Sequence, residues 1–228
     1  MNNGIVAEAV GANMTQGGIG RLGCATAAIV LAASVAIARP LPDGVTPCDM
    51  GGYSVDMDPQ GANVRAEPAR NARVVGKLAP PIKTGPKDEA EPGDGLWRTT
   101  FRIIGFKDGW FLIEKGLHPF DDPENIANMG RRSTGGVKTY TGRGWIAAGL
   151  VGGQYANTGL PPEGALYAEP REDGQRFPAR TRGGAPIGAD GGPKKVLACL
   201  GDWVKVESFD GVTGWWRTLC STQVTNCS

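Results

Sequence analysis

A five-residue phrase occurs twice in this chain and limits what the chain can fold into. The first copy reads VRAEP at residues 64–68, and the second reads LYAEP at residues 166–170. Each copy is followed by a tryptophan segment, GWFLIE or DWVKVE, and then by GRGWI or VTGWW. The separation between matching positions falls from 102 residues at Val64 and Leu166 to 69 residues at Gln154 and Gln223. Because loops tolerate length changes and strands do not, this pattern predicts two diverged copies of one structural unit.

Composition and local pattern both predict an all-β protein. The 228 residues include 36 glycines and 17 prolines, an excess that is typical of turn-rich proteins. WFLIE and WVKVE are short, rich in β-branched and aromatic residues, and bounded by turn residues. Their alternation predicts that Phe111 and Ile113 in the first copy, and Val204 and Val206 in the second, face the core. The segment FDGVTGWW predicts a hairpin that turns at Asp210 and Gly211.

The order of these motifs resembles the bacterial SH3 domain, SH3b. That family shows V-R-x-x-P, then GxWxKV, then TGWV closing on a leucine. The second copy contains GDWVKVE and TGWW but keeps only AEP of the first motif; the first copy contains VRAEP and GWI but has LI in place of KV. The resemblance implies two small five-stranded SH3-like barrels in tandem, the first with a long loop insertion. The predicted division is residues 54–154 and 163–228 for the two domains, about 117–140 for the insertion, and 39–53 and 155–162 for linkers.

The N-terminus predicts export. Arg21 precedes an apolar run at residues 24–38, which ends in Ala36-Ile37-Ala38, a small-x-small cleavage pattern. We therefore interpret residues 1–38 as a signal peptide, with translation starting at Met1 or Met14, in preference to a membrane anchor or a lipoprotein attached at Cys24. The mature chain is expected to be periplasmic or secreted and not membrane-bound.

Four cysteines remain after cleavage, an even number that suggests disulfides in an exported protein: Cys48, Cys199, Cys220 and Cys227. Three connectivities are possible, and spacing alone does not choose between them. The alignment of the two copies favours Cys199 with Cys220, since both fall in the second unit, and leaves Cys48 for Cys227. Zinc is the alternative, disfavoured because there is no CxxC pair and His118 is the sole histidine. We predict no metal and no cofactor.

Charge and residue types argue against several functions. A net charge of +1 without a basic run does not indicate nucleic-acid binding. His118 lies in the insertion and is expected to be a solvated loop residue, and the acidic group Asp121, Asp122 and Glu124 is expected to be a charged turn. We therefore predict that the protein is not an enzyme.

The same alternation that buries Phe111 sends four tryptophans to the opposite face: Trp110, Trp145, Trp203 and Trp215. Flat aromatic faces suit proline-rich or glycan ligands, although tryptophans also seal barrel ends. We predict a binding module for cell-wall peptide or glycan (peptidoglycan) that uses these residues. The alternative is a structural or regulatory protein that binds an envelope protein through the insertion. Leu112 lies beside Trp110, so this apolar face is expected to be covered by the second barrel, the insertion or a ligand.

Overall fold

A computed structural model describes residues 40–83, 96–118, 137–157, 164–188 and 191–223, which all belong to the compact unit Pro40–Ser228. The predicted signal peptide, the acidic group at 121–124 and Cys227 lie outside the described residues. Every described regular element is a strand apart from one 3₁₀ turn, Ala148–Leu150, which confirms the all-β class. The strands are β1 Thr46–Ser54, β2 Ala62–Arg65, β3 Val74–Leu78, β4 Ile82–Lys83, β5 Leu96–Trp97, β6 Thr100–Lys107, β7 Trp110–His118, β8 Val137–Ala147, β9 Val151–Gly152, β10 Gln154–Tyr155, β11 Ala165–Tyr167, β12 Arg176–Pro178, β13 Lys195–Leu200, β14 Trp203–Glu207, β15 Thr213–Arg217 and β16 Leu219–Cys220.

Two sheets contain most of these strands. The first sheet has seven strands in the order β3-β2-β8-β7-β6-β1-β9 and curls into a half barrel. The second sheet has five strands in the order β12-β11-β15-β14-β13. The pairs β4-β5 and β10-β16 complete the described structure. Five consecutive strands of the first sheet therefore repeat the order of the whole second sheet.

The two sheets also share their cross-strand register. One row of directly opposed residues crosses the first sheet in the order Val74, Arg65, Trp145, Leu112 and Gly105. The matching row of the second sheet is Arg176, Tyr167, Trp215, Lys205 and Ala198. The alignment read from the sequence is therefore reproduced strand by strand.

A β-bulge also recurs at the same place. The register shifts between Ile103 and Gly105 in β6, and between Val196 and Ala198 in β13. Bulges bend a strand and increase its twist, and they are retained when a fold diverges. A shared bulge is thus independent support for a common origin of the two halves.

The predicted core positions are confirmed. Phe111, Ile113, Val204 and Val206 are fully buried, and all four belong to one hydrophobic cluster that draws residues from both sheets. The predicted hairpin is present as β14 and β15, with Gly211 at the turn in a left-handed conformation (φ 87°) that glycine adopts without strain. The sheets share this cluster, and their division into two domains stays a prediction.

The strand β1 joins the two sheets, although its residues fall in the predicted linker 39–53. It pairs with β6 along the first sheet. Near its start it also reaches the second sheet, where the Asp49 backbone N–H donates to the Gly201 carbonyl (2.8 Å) and the Gly201 N–H donates to the Pro47 carbonyl (2.7 Å). Residues 46–53 of the predicted linker therefore belong to the strand that bridges both sheets, and the domain bounds stay a prediction.

The disulfide pairing differs from the one that the alignment favoured. Cys48 is bonded to Cys199, with their Cα atoms 5.8 Å apart, because β1 runs past the end of β13. Cys220 is also disulfide-bonded, but it lies on β16, which pairs with β10 and not with β13. The favoured pairs Cys199–Cys220 and Cys48–Cys227 were therefore wrong. They were chosen because Cys199 and Cys220 fall in the same repeat, whereas the pairing depends on the position of β1.

Replacing Cys48 and Cys199 together with serine should lower the free energy of unfolding by about 2–5 kcal/mol, because the bond closes a loop of 151 residues and so restricts the unfolded chain. Urea denaturation of the oxidised protein and the double variant measures this loss. Non-reducing peptide mapping should recover a peptide that joins Cys48 to Cys199. Recovery of a Cys199–Cys220 peptide instead would contradict the described connectivity.

Tyr155 lies where the two halves meet. Its ring centroid is 4.8 Å from that of Trp216, which donates its indole N–H to the Ala156 carbonyl at 3.3 Å. The side chain is fully buried, and its hydroxyl has no hydrogen-bond partner in the described part of the chain. Burial, and then the negative charge of Asp210, raise the pKa of the Tyr155 phenol. The folded state therefore favours the neutral phenol.

The raised pKa predicts a loss of stability at alkaline pH. Tyrosine in an unfolded chain ionises near pH 10, so the contribution of Tyr155 is fully present below that pH and is lost as pH rises towards the higher pKa of the folded state. Tyr155→Phe should reduce this dependence, leaving the part due to Tyr140, whose phenol pKa is also raised by burial. The variant should cost less than about 1 kcal/mol at neutral pH, because the unpaired hydroxyl is removed without loss of a hydrogen bond. Urea denaturation at about pH 7 and pH 11 tests both expectations. An equal alkaline loss in the variant would show that Tyr155 is not the group responsible.

Candidate functional site

Each sheet has an outer face, opposite to the shared core, and the two faces differ in what covers them. We define the first outer face by Ile104, Trp110, Leu112 and Trp145. We define the second outer face by the two rows of residues at the matching positions: Arg176, Tyr167, Trp215 and Lys205, and Leu200, Trp203 and Arg217. All four tryptophans that were predicted to point away from the core lie on these faces.

The first outer face is covered by residues 40–45, which we call the cover segment. Leu41 and Val45 pack against Leu112 and Trp145, each of which is only 4% exposed. The prediction that Leu112 would be covered is confirmed. The chain ahead of β1 folds back over the sheet and forms this cover. The sequence had suggested the second barrel, the insertion or a ligand instead.

Hydrogen bonds to the backbone hold the cover segment in place. The Lys107 ammonium donates to the Asp43 carbonyl at 3.0 Å, and the Arg143 guanidinium donates to the Pro40 carbonyl at 3.4 Å. A turn closed by the Val45 N–H and the Pro42 carbonyl (3.3 Å) aims the Val45 side chain at the sheet. Trp145 therefore presents no open face to a ligand, and the ligand-binding role predicted for Trp110 and Trp145 stays a prediction that requires the segment to leave.

Three residue differences between the two sheets make the second outer face unsuitable for an equivalent cover segment. A Cβ atom on Gly105 would lie 2.5 Å from Val45 Cγ1, and the matching residue, Ala198, has that Cβ. Lys205 stands where Leu112 provides an apolar contact, and Leu200 stands where Lys107 anchors the segment. Leu200 is 44% exposed. The second face is thus left open to solvent.

Aromatic rings form the centre of the second outer face. Tyr167 is buried on this side of the sheet, and its ring meets Trp203 edge-to-face with centroids 5.3 Å apart. Trp203 and Trp215 are half-buried. The guanidinium of Arg176 lies 5.9 Å from the centre of the Tyr167 ring, within the range of a cation–π contact. The arrangement offers apolar ring surface beside positive charge.

Most charged side chains on and beside this face are paired with a side chain of opposite charge. Arg217 is held by Asp202 (Nε to Oδ2, 2.9 Å) and by Glu172, and the hydrogen bond to Asp202 raises the pKa of its guanidinium. Glu207 accepts from Lys194 (2.8 Å) and Lys195 (2.9 Å), and these bonds lower the pKa of its carboxyl. These groups largely neutralise one another.

Lys205 and Arg176 differ from these paired charges, because neither has a carboxylate partner among the residues that the structure describes. Beyond Arg176, a cavity of about 380 Å³ is lined by Ala165, Pro178 and Arg180 as well as Arg176 itself. The positive end of the face therefore continues into a concave surface. Such a surface suits an anionic group better than a neutral one.

Sequence reasoning missed Tyr167 and Arg176. The signal for Tyr167 was present, since it follows Leu166 in the repeated phrase and must point to the opposite side of the strand. Arg176 has no comparable signal, because its position depends on how the chain returns from β11 to β12. Lys205 was correctly expected to face away from the core.

The structure also describes His118, the histidine of the predicted insertion. His118 is 2% exposed at the end of β7, so the expectation of a solvated loop residue was wrong: β7 and β8 continue into the predicted insertion as paired strands. Within the described ranges, no three His, Cys, Asp or Glu side chains come together to hold a metal. Nor does that part of the chain contain a helix long and apolar enough to cross a membrane.

Comparisons with protein-family models and with curated proteins find no match to this chain. The chemistry of the second outer face and the internal repeat are therefore the features from which function can be inferred.

The fit of the cover segment predicts that Gly105→Ala is destabilising, by about 1–3 kcal/mol, because the added methyl displaces Val45. Acrylamide should then quench tryptophan fluorescence more strongly, as Trp110 and Trp145 become accessible. Gly149→Ala is the matched control, since a Cβ there meets nothing within 4 Å. Equal stability of the two variants would show that Val45 does not occupy its described position.

Proposed function

We propose that this chain is an exported, non-enzymatic binding protein that recognises cell-wall peptide or glycan through the second outer face. The observation that carries this proposal is the half-buried group Trp203, Trp215 and Lys205 around the buried Tyr167 ring. The residues that match Trp215 and Lys205 in the first sheet, Trp145 and Leu112, are covered by the chain itself. The side chains that define this face are mainly aromatic rings and cations, which are suited to ligand binding. They do not include a nucleophile beside a general base.

We further propose that the two halves are SH3-like units of the SH3b kind, arranged in tandem. The repeated strand order, the shared register and the shared bulge support two copies of one five-stranded unit. The short motifs VRAEP, DWVKVE and TGWW support the SH3b assignment. Because SH3-like folds serve many partners, the ligand is argued from the face and not from the fold.

Export is proposed from the N-terminal sequence and from the disulfide. Disulfides persist in the periplasm and outside the cell and are rare in the cytosol. The Cys48–Cys199 bond is compatible with such an environment. A periplasmic or secreted location would also place the protein beside its proposed ligand, peptidoglycan.

A second candidate function is binding of another envelope protein through the insertion. One observation favours it: β7 and β8 have 9 and 11 residues, whereas β14 and β15 have 5 each. The hairpin of the first sheet thus projects beyond its counterpart and carries the insertion on a paired stem. Residues 119–136 of the insertion lie outside the described residues.

Co-sedimentation with isolated peptidoglycan sacculi tests the primary proposal. The mature chain, residues 39–228, should pellet with sacculi, and the Trp203→Ala/Trp215→Ala double variant should bind at least about 5-fold more weakly, since two aromatic contacts are lost. Trp110→Ala is the matched control, because the face around Trp110 is occupied by the cover segment. A wild-type chain that stays in the supernatant would overturn the proposal and favour the protein-partner alternative.

A further inference from the structure

The second outer face has a charged residue at each end of an aromatic row. Arg176 on β12 is opposed to Tyr167 on β11, which is opposed to Trp215 on β15, which in turn is opposed to Lys205 on β14. Three inter-strand spacings of about 4.8 Å place the backbones of the two cationic residues about 14 Å apart. The row is therefore cation, ring, ring, cation.

The first sheet has the same row without this charge pattern. Val74 stands where Arg176 stands, and Leu112 stands where Lys205 stands. The cations of the first sheet are already engaged. Arg65, which stands in this row where Tyr167 stands in the other, donates to the Ala72 carbonyl at 2.7 Å. Arg102 and Arg143 both bind Glu114, at 3.1 and 3.2 Å. The two end cations are thus a specific property of the open face, and they appear where the covered face has apolar residues.

We infer that the second outer face selects an anionic glycan, with negatively charged groups of the sugar chain bound by Lys205 and Arg176 and a sugar ring lying against Trp215 and Trp203. This inference rests on the proposed function and deepens it by naming the ligand class. Positive charge at both ends complements a chain that carries repeated carboxylates, whereas a neutral chain offers neither cation an ionic partner.

The direction of the row favours a glycan over a peptide. Peptides that add a strand to a sheet hydrogen-bond to a free strand edge, and proline-rich peptides dock on aromatic surfaces without needing a cation at each end. The row instead crosses β11, β15 and β14, which are interior strands paired on both sides. Their backbone donors and acceptors are directed to neighbouring strands, so a peptide main chain lying here would gain no backbone hydrogen bonds. Ring contacts and ion pairs remain available, and these suit a carboxylated sugar chain.

Isothermal titration of the mature chain with defined probes tests the inference. The probes are a galacturonic acid hexamer, the same hexamer after reduction of its carboxyls to alcohols, and a hexaglutamate peptide. We expect the acidic sugar to bind, with an affinity that weakens as salt is raised, and the carboxyl-reduced sugar to bind at least about 5-fold more weakly.

Charge-removing variants locate the site. Lys205→Gln and Arg176→Gln should each weaken binding of the acidic hexamer by about 5-fold, and together by about 25-fold, because the two positions are far enough apart to act independently. Lys77→Gln is the matched control, an exposed lysine of the first sheet that contacts the Gln60 carbonyl. Thermal unfolding should be unchanged in all three single variants, since none of these side chains is buried in the core.

Each other outcome overturns the inference in a distinguishable way. Equal binding of the acidic and the reduced hexamer would show that the face accepts neutral sugars, which leaves the proposed function intact. Binding of hexaglutamate in preference to the sugar would replace the glycan with an acidic peptide. Sacculi that pellet the protein while the acidic hexamer does not bind would reject the anionic glycan alone. Failure of both sacculi and hexamers would reject the proposed function as well.

Discussion

The pairing of β1 with β6 is the interaction on which the rest of the structure depends. Without β1, the first sheet would lose the strand on which β9 pairs, and the second sheet would lose its backbone contacts at Gly201. The Cys48–Cys199 bond fixes this strand to β13 and so holds the two layers over one continuous core. Each half alone would be small enough to be marginally stable, and the shared core relieves that limit.

The two outer faces have matching backbone arrangements, but only the first is covered by the chain's own residues 40–45. In the first sheet, Gly105 leaves room for Val45, and Leu112 and Trp145 complete an apolar contact with the cover segment. In the second sheet, the methyl of Ala198 occupies that room and Lys205 replaces the apolar partner. A difference of a few atoms therefore separates a face that is covered by its own chain from one that lacks this cover.

Much of this architecture could be predicted from the sequence because it depends on local pattern. Alternation alone identified Phe111 and Val204 as core residues, and the repeated landmarks gave the alignment that the sheet register reproduces. The disulfide and the cover could not be predicted in this way. Both depend on residues 40–54, whose prolines and glycines gave no periodic signal, and whose role is set by long-range pairing. The apolar pair Trp110 and Leu112 indicated that this face would be covered. Which segment covers it depends on the position of β1 in the folded chain.

The position of the disulfide in the chain has a consequence for when it can form. Synthesis from the N-terminus delivers Cys48 early and Cys199 only 151 positions later. During that interval the thiol of Cys48 is without its native partner, and β1 lacks its backbone contacts with the second sheet at Gly201. Contacts between residues so far apart in sequence also form slowly. The Cys48–Cys199 bond is therefore expected to form only when nearly the whole chain is available, and an oxidising environment before that point would favour non-native pairing of Cys48.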